Sequence, residues 1–355
     1  MRAGRRAFEV WEVPSPATLW DSEDARTELL QRAKLRELAV VRAPELDGCL
    51  AHGGGGRAFL GVECLQVTGS YHVRGALLAV ASSVDGAVVA PGAGRHGIAV
   101  AYAAAALGRR CTLVVPADAP PALRERALAY GAHLESVHGG VAGPRALRAD
   151  DRALLLGQIA LATAQSRGGR LLSPTEPALH AGNGITLLDE MVRAMGALPG
   201  CIVVPSGSGA LPDALAASLA ARDGSVRPRV LAVRGAEPHL AEARGTQPDG
   251  TQPHLAEPPS AVRGEDDGGH VAAAGAVLWS SVAEEHAVQE SAALAATLGV
   301  AVEPWAAAGI AWARRGLAAL PSAPEGDVLF LVPARRLGAA QPTRASWPPP
   351  LTGPP

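Results

Sequence analysis

Lysine is almost absent from this chain of 355 residues, because Lys34 is the only one and the other basic residues are arginines. Arginine stays protonated and does not supply the neutral amine that covalent lysine chemistry requires. Any reaction that needs such an amine therefore depends on Lys34. Leucines and charges recur at helical spacing over residues 23–39, and this pattern predicts an N-terminal surface helix that contains Lys34.

Cysteine is also scarce, and the four present lie far apart, at Cys49, Cys64, Cys111 and Cys201. No CxxC pair occurs, which argues against a disulfide framework or a zinc site and favours buried thiols in a reducing compartment. The sequence also lacks HExxH, EF-hand, GxSxG and P-loop patterns. Metal-dependent hydrolysis, serine hydrolysis and nucleoside triphosphate chemistry therefore have no support.

Neither sign of charge is in large excess: the chain has 32 basic and 34 acidic residues, and its net charge is −2. This balance favours neither a nucleic acid nor a membrane as partner, and small ligands are expected instead. The sequence has no apolar run long enough for a transmembrane helix and no signal-peptide core near its N-terminus. We therefore expect a cytoplasmic protein.

Short apolar segments alternate with amphipathic segments through most of the chain, a pattern typical of an α/β protein with a mainly parallel sheet. Proline, glycine and charge over residues 237–269 predict a mobile insertion, and the proline-rich residues 339–355 predict a disordered tail. The predicted strands are 58–65, 86–91, 111–116, 133–137, 201–205, 229–233, 300–302 and 327–332. The predicted helices that follow the N-terminal one are 75–83, 98–107, 121–130, 151–165, 184–195, 213–221, 282–298 and 306–320.

A GxGxxG pattern follows the predicted strand at 86–91, as Gly92-Ala93-Gly94-Arg95-His96-Gly97. Together with Asp118, which follows the next strand, it matches the context of a dinucleotide-binding fingerprint. In that interpretation, backbone amides hold a pyrophosphate and the acid binds a ribose. The alternative is a tight strand-to-helix turn that needs glycine and binds no nucleotide.

A second motif lies upstream, over residues 63–76, with Thr68-Gly69-Ser70-Tyr71-His72-Val73-Arg74-Gly75-Ala76 as its main part. It resembles the signature of the fold type II pyridoxal-phosphate enzymes, especially the serine/threonine dehydratases (ammonia-lyases). Further segments resemble that family in the same order, so the resemblance extends over about residues 58–332 and includes the GxGxxG turn. These segments are 93–97, 116–120, 130–132, 174–184, 207–211 and 303–308.

The resemblance implies a tryptophan synthase β-like α/β fold with two domains, each with a mainly parallel sheet flanked by helices. Residues 1–76 and 174–338 would form the larger domain, and residues 77–173 the smaller one. It also implies pyridoxal phosphate as cofactor, an amino acid or phosphate compound as ligand, and a homodimer as the assembly. An intact paralogue is a further candidate partner.

The lysine that binds the cofactor covalently in this family corresponds to His72. Imidazole does not form that covalent bond, so His72 is the candidate catalytic residue at a position whose usual chemistry is lost. Arg95 corresponds to an asparagine that contacts the cofactor ring, and Pro333 to a serine or cysteine beside the ring nitrogen. The segment Gly207-Ser208-Gly209-Ala210 corresponds to the loop that binds the cofactor phosphate.

The resemblance assigns substrate binding to Thr68, Gly69 and Ser70, together with His96 and Gly97. A loop that is kept only because it supports the sheet is the alternative interpretation of these five residues. The function predicted from the sequence is therefore a degenerate serine/threonine dehydratase-like protein that still binds an amino acid, a phosphate or the cofactor. The alternatives are an altered enzyme that holds the cofactor noncovalently, with His72 as base, and a dinucleotide-binding protein that uses residues 92–97.

Overall fold

The computed structural model describes residues 13–50, 56–83, 86–92, 94–138, 149–206, 210–222, 227–235, 272–274, 277–315 and 326–336. The predicted insertion at 237–269 and the predicted tail at 339–355 lie outside the described residues.

Strands and helices alternate through most of the described chain, as the sequence predicts. The strands are β1 (Ala39–Arg42), β2 (Ala58–Val62), β3 (Val88–Pro91), β4 (Cys111–Pro116), β5 (His133–Val137), β6 (Arg170–Leu171), β7 (Cys201–Pro205), β8 (Arg229–Gly235), β9 (Ala272–Ala274), β10 (Val277–Val282) and β11 (Val328–Val332). The helices are α1 (Pro16–Asp21), α2 (Glu23–Arg32), α3 (His72–Ala81), α4 (Arg95–Ala106), α5 (Pro121–Ala129), α6 (Ala149–Arg167), α7 (Pro177–Met195), α8 (Ala210–Ala221), α9 (Glu284–Leu298) and α10 (Ala308–Arg314).

These strands form two sheets. The larger sheet has the order β1-β2-β11-β7-β8-β10-β9, and the smaller has the order β5-β4-β3-β6. All pairs in the smaller sheet are parallel, and in the larger sheet only the two edge strands β1 and β9 pair antiparallel. The predicted α/β class with mainly parallel sheets is confirmed. The domain limits at residues 76/77 and 173/174 stay a prediction.

Helix α3 connects the end of β2 with the smaller sheet, and α7 packs across it at two glycines. A Cβ on Gly75 would lie 1.9 Å from the carbonyl oxygen of Leu179, and one on Gly182 would lie 2.9 Å from the Cα of Gly75. The Gly75 amide donates to Asn183 Oδ1 at 2.8 Å. The two helix backbones therefore approach closely, and this contact fixes the position of the first turn of α3.

A buried ion-pair network holds the same helix from its other side. The Arg74 guanidinium is fully buried and donates to both carboxylate oxygens of Glu63, at 2.9 and 2.7 Å, and to Glu190 at 2.7 Å. Burial lowers the pKa of Arg74, but the two carboxylates outweigh this effect and the net shift is upward. Arg74 therefore ties α3 to the residue after β2 and to α7.

The N-terminal helix predicted over 23–39 is wrong in its length. Helix α2 ends at Arg32, and Lys34 follows in the left-handed region with φ +54°. The Leu35 amide donates to the Leu30 carbonyl and the Lys34 amide to the Gln31 carbonyl, which is the Schellman pattern of a helix end. No glycine marks this stop in the sequence, and the following residues 39–42 form the edge strand β1 instead.

Other predicted boundaries also need correction. Helix α7 begins seven residues before the predicted Gly184, at Pro177, because glycines at 182 and 184 lie inside it, where neighbouring backbone leaves no room for a side chain. The predicted strand at 300–302 is only a bridge between Val302 and Arg335. The predicted helix at 306–320 begins with a 3-10 turn at Pro304–Ala307 followed by α10, and its residues 316–320 lie outside the described residues. Strands β1, β6, β9 and β10 and helix α1 were not predicted.

Candidate active site

A cavity of about 400 Å³ lies where strands of the two sheets end. Its wall includes Pro91 and Pro205, the last residues of β3 and β7, and the first turns of α3, α4 and α8. This is the usual place for a ligand in an α/β protein, beyond the carboxyl ends of parallel strands, and the volume suits a small molecule. Of the residues that the sequence identified, His72, Arg95, His96, Gly97 and Ala210 line this cavity.

His72 is the first residue of α3 and stands in the cavity wall. Its ring lies 4.2 Å from the ring of Tyr71, measured between centroids, and its Nδ1 is buried without a hydrogen-bond partner among the described residues. Burial lowers the pKa of His72 to about 3, and the nearby charges of His96, Arg95 and His180 act in the same direction. The imidazole is therefore neutral at physiological pH.

Arg95 begins α4 and crosses the cavity toward a different part of the chain. Its Nη2 donates to Glu303 Oε1, and its guanidinium carbon lies 5.4 Å from the centre of the Trp305 ring. A guanidinium at this distance from an aromatic ring gains a cation–π interaction. Arg95 therefore connects the first turn of α4 to the 3-10 turn at Pro304–Ala307 and brings a positive charge into the cavity.

His96, the next residue, is held by the backbone. Its Nε2 lies 2.9 Å from the carbonyl oxygen of Leu172, and because a carbonyl only accepts, Nε2 carries the hydrogen. Burial lowers the pKa of His96 to about 4. A third histidine, His180 on α7, has a lowered pKa for the same reason, and its Nε2 has no described partner. The cavity thus contains neutral imidazoles beside one arginine.

The glycines of the GxGxxG pattern have a structural role that the geometry explains. Gly92 has φ +81°, and a Cβ on Gly97 would lie 1.9 Å from the Gly92 carbonyl oxygen. The turn between β3 and α4 therefore requires glycine at both places. Asp118, the acid of the dinucleotide interpretation, pairs with Arg152.

The predicted substrate loop at 68–70 lies beside the cavity and is not part of its wall. Its backbone is attached to the segment after β11: Ser70 forms a bridge with Ala334, the Tyr71 amide donates to the Pro333 carbonyl at 3.2 Å, and the Arg335 amide donates to the Gly69 carbonyl at 2.9 Å. Thr68 Oγ1 donates to the carbonyl of Ser70. Pro333 is buried in the same contact and does not line the cavity.

Residues 207–209 of the predicted phosphate loop lie outside the described residues, while Ser206 and Ala210 on either side line the cavity. Lys34 is exposed and is not in the cavity wall. The cysteines are free; Cys64, Cys111 and Cys201 are buried as predicted, whereas Cys49 is half-buried, and burial raises the pKa of the three buried thiols to about 12, which disfavours the reactive thiolate.

Sequence reasoning assigned no site role to Trp305, which lines the cavity, or to Glu303, which pairs with Arg95. The segment at 303–308 had been recognised by resemblance, but a contact between Arg95 and a residue 208 positions away leaves no local pattern. Within the described chain, no helix has the length and apolarity to span a membrane, and no three His, Cys, Asp or Glu side chains are grouped to hold a metal ion.

Comparisons with known proteins agree with this geometry. Residues 36–334 match the family model described as "Pyridoxal-phosphate dependent enzyme". The chain is 31% identical over 196 residues to human serine racemase, covering 53% of this chain and 52% of that protein. It is 32% identical over 181 residues to the mouse L-serine dehydratase/L-threonine deaminase, covering 50% of this chain and 52% of that protein.

The fold comparison extends further along the chain. The structure of maize serine racemase superposes with a TM-score of 0.64 at 19% identity, covering 89% of this chain and 94% of that one. By sequence, the chain spans about half the length of the curated relatives that it matches. The expected cofactor class is confirmed, since pyridoxal phosphate is the cofactor that this family implies. The chain belongs to the pyridoxal-phosphate dependent enzyme family, with the fold type II architecture of the serine racemases and serine/threonine dehydratases.

Proposed function

We propose that this protein is a degenerate member of its family, which has lost covalent attachment of the cofactor and the usual lyase reaction but still binds a small anionic ligand. The ligand is an amino acid, a phosphate compound or noncovalent pyridoxal phosphate. The observation that carries this proposal is His72 in the cavity wall, at the position that the sequence motif gives to the lysine.

The cavity has room for the cofactor, but its described wall provides only noncovalent contacts. Its volume of about 400 Å³ suits a ligand of that size, and Ala210, Leu211 and Pro212 from the first turn of α8 line it. When bound covalently, the cofactor acts as an electron sink for the substrate. The described wall contains no amine for that bond, and Lys34 is exposed elsewhere. We therefore derive no reaction step through the cofactor.

Arg95 is the charged donor that the described cavity wall offers to a ligand, and Glu303 balances part of its charge. Arg95 remains protonated, whereas His72 and His96 are neutral at pH 7 because burial lowers their pKa values to about 3 and about 4. A ligand carboxylate or phosphate would accept from the Arg95 guanidinium, while Glu303 and Trp305 hold that side chain in place. His72 presents its neutral imidazole to the same space.

The first alternative, an altered enzyme with His72 as base, is less well supported. A general base works best when its pKa lies near the operating pH, and the pKa of His72 is lowered to about 3. The second alternative, dinucleotide binding through residues 92–97, is weakened because the turn requires Gly92 and Gly97 and because Asp118 pairs with Arg152. A homodimer or a complex with an intact paralogue remains part of our proposal, by analogy with the family.

Calorimetric titration of the purified protein with pyridoxal phosphate, L-serine and L-threonine tests the proposal. We expect saturable binding of at least one of them without release of ammonia or a keto acid. Arg95→Gln should weaken binding about tenfold, because one charge-assisted hydrogen bond to the ligand is lost. Arg110→Ala removes an exposed arginine before β4 and serves as the control. Turnover of serine or threonine by the wild-type protein would refute the proposal.

A further inference from the structure

We propose that Arg126 and Arg335 form a second anion-binding site, next to the cavity but separate from it, that takes a phosphate-like oxyanion. Both guanidinium groups converge on the peptide between Thr68 and Gly69. Neither residue lines the cavity. The inference does not depend on the proposed function.

The Arg335 side chain lies directly across Gly69. A Cβ on Gly69 would be 2.3 Å from Arg335 Nε and 2.8 Å from its Cγ, and Gly69 has φ +79°. Arg335 Nε and Nη2 are buried, and neither has a hydrogen-bond partner among the described residues. Two donors of one guanidinium edge are therefore available to a single acceptor group.

Arg126 approaches the same peptide from α5. It is 8% exposed, its Nη2 donates to the Thr68 carbonyl oxygen, and its Nε is buried without a described partner. A buried donor without an acceptor costs free energy, because the group has lost its hydrogen bonds to water. Three such nitrogens in two neighbouring arginines are the observation that indicates a missing acceptor.

The charges around Arg335 support an anion. Burial is the main cause of its lowered pKa, and the positive charges of Arg126 and Arg36 lower it further. Tyr130 and Cys64 act in the opposite direction, and none of the groups that shift this pKa is a carboxylate. Arg74 and Arg26 differ in that each pairs with a carboxylate, at 2.7 and 2.8 Å, although Arg74 Nη1 also lacks a described hydrogen-bond partner.

An oxyanion at this place would satisfy the unpartnered donors. The Nε and Nη2 hydrogens of a guanidinium point in parallel and match two oxygens of a phosphate or carboxylate. Arg36 is exposed and Arg335 is partly exposed, so the site lies close to the surface although the unpartnered nitrogens themselves are buried. The same loop, residues 68–70, leads directly into Tyr71 and His72 at the start of α3.

Anion binding at this site can be measured by the unfolding temperature of the protein in inorganic phosphate, compared with chloride at equal ionic strength. We expect wild-type protein to be stabilised by phosphate, and Arg335→Gln and Arg126→Gln each to weaken the apparent phosphate affinity at least about tenfold. Arg110→Ala, at the surface, should leave the phosphate effect unchanged. An unchanged effect in Arg335→Gln, or no effect in the wild type, would overturn the proposal.

A measurement on the wild-type protein covers the case in which a variant does not fold. Phenylglyoxal modifies accessible arginines, and peptide mapping by mass spectrometry follows each one. Inorganic phosphate should slow the modification of Arg335 severalfold and leave that of Arg110 unchanged. Equal rates at Arg335 with and without phosphate would contradict the site.

Discussion

Two residues of helix α3, His72 and Arg74, differ in the charged groups that surround their side chains. They lie two positions apart and so point in nearly opposite directions from the helix axis. Arg74 points into the protein and meets two carboxylates, Glu63 and Glu190. His72 points into the cavity, and its Nδ1 has no described partner. Arg74 is thus neutralised by two buried carboxylates, whereas His72 has no charged partner of opposite sign among the described residues.

Under the function that we propose, the family fold does not require the family reaction. Arg74, Gly75 and Asn183 fix α3 whatever residue stands at position 72. A histidine at that position changes neither the buried network nor the helix crossing. The proposed loss of the reactive amine is therefore compatible with a well-packed α3, and the two sides of this helix can be tested separately.

The largest effect is expected from Arg74→Met. Without the guanidinium, Glu63 and Glu190 remain buried without a cation, and the free energy of unfolding should fall by about 3–5 kcal/mol. Urea denaturation measures this change. Arg32→Met is the matched control, because the Arg32–Glu28 pair is exposed and is worth about 0.5 kcal/mol or less. A loss of less than about 1 kcal/mol in Arg74→Met would mean that the network is not needed.

The next effect concerns the pH dependence of stability on the cavity side. The pKa of His72 is lowered to about 3 in the folded state, against about 6.5 in the unfolded chain, so the unfolded state takes up the proton first as the pH falls. Because of His72, the free energy of unfolding should therefore fall by about 2–3 kcal/mol as the pH is lowered from 7 to 4.5.

The comparison of wild type with His72→Gln isolates this contribution, since all other titrating groups are shared. The free energy of unfolding of the variant should fall less steeply over that pH range. His133→Gln, at an exposed site on β5, is the control and should follow the wild-type curve. Parallel curves for wild type and His72→Gln would show that His72 is not buried in neutral form.

The third effect concerns the close contact between α3 and α7. Gly75→Ala places a methyl group 1.9 Å from the Leu179 carbonyl, and we expect a loss of about 1–3 kcal/mol as the helices move apart. Gly157→Ala lies inside α6 with no atom within 4 Å of the added carbon, so it should be neutral or stabilising by up to about 1 kcal/mol. If both variants were equally stable, the crossing would not depend on glycine.

The sequence predicted the parts of the fold that local patterns encode. Strands β4, β5 and β7 have the predicted bounds; β4 and β7 are short apolar runs, whereas β5 is largely polar. The end of α2 was missed because Lys34, rather than glycine, adopts the left-handed conformation there. The two-residue strand β6 is too short to leave a period-2 pattern.

The candidate site was predicted in part for the same reason. His72, Arg95 and His96 lie in continuous motifs, and the cavity brings them together. The contact of Arg95 with Glu303 and the unpartnered donors of Arg335 depend on residues that are distant along the chain. Such contacts form only when the chain folds, and a local pattern in a single sequence does not reveal them.

The most direct test of the central claim is the covalent chemistry of position 72. Purified wild-type protein and the His72→Lys variant are each incubated with pyridoxal phosphate, reduced with borohydride and mapped by mass spectrometry. We predict no stoichiometric adduct in the wild type and one adduct at position 72 in the variant, because only the variant has an amine in the cavity wall. A stoichiometric adduct on Lys34 of the wild-type protein would contradict the account and would identify an enzyme with a relocated lysine.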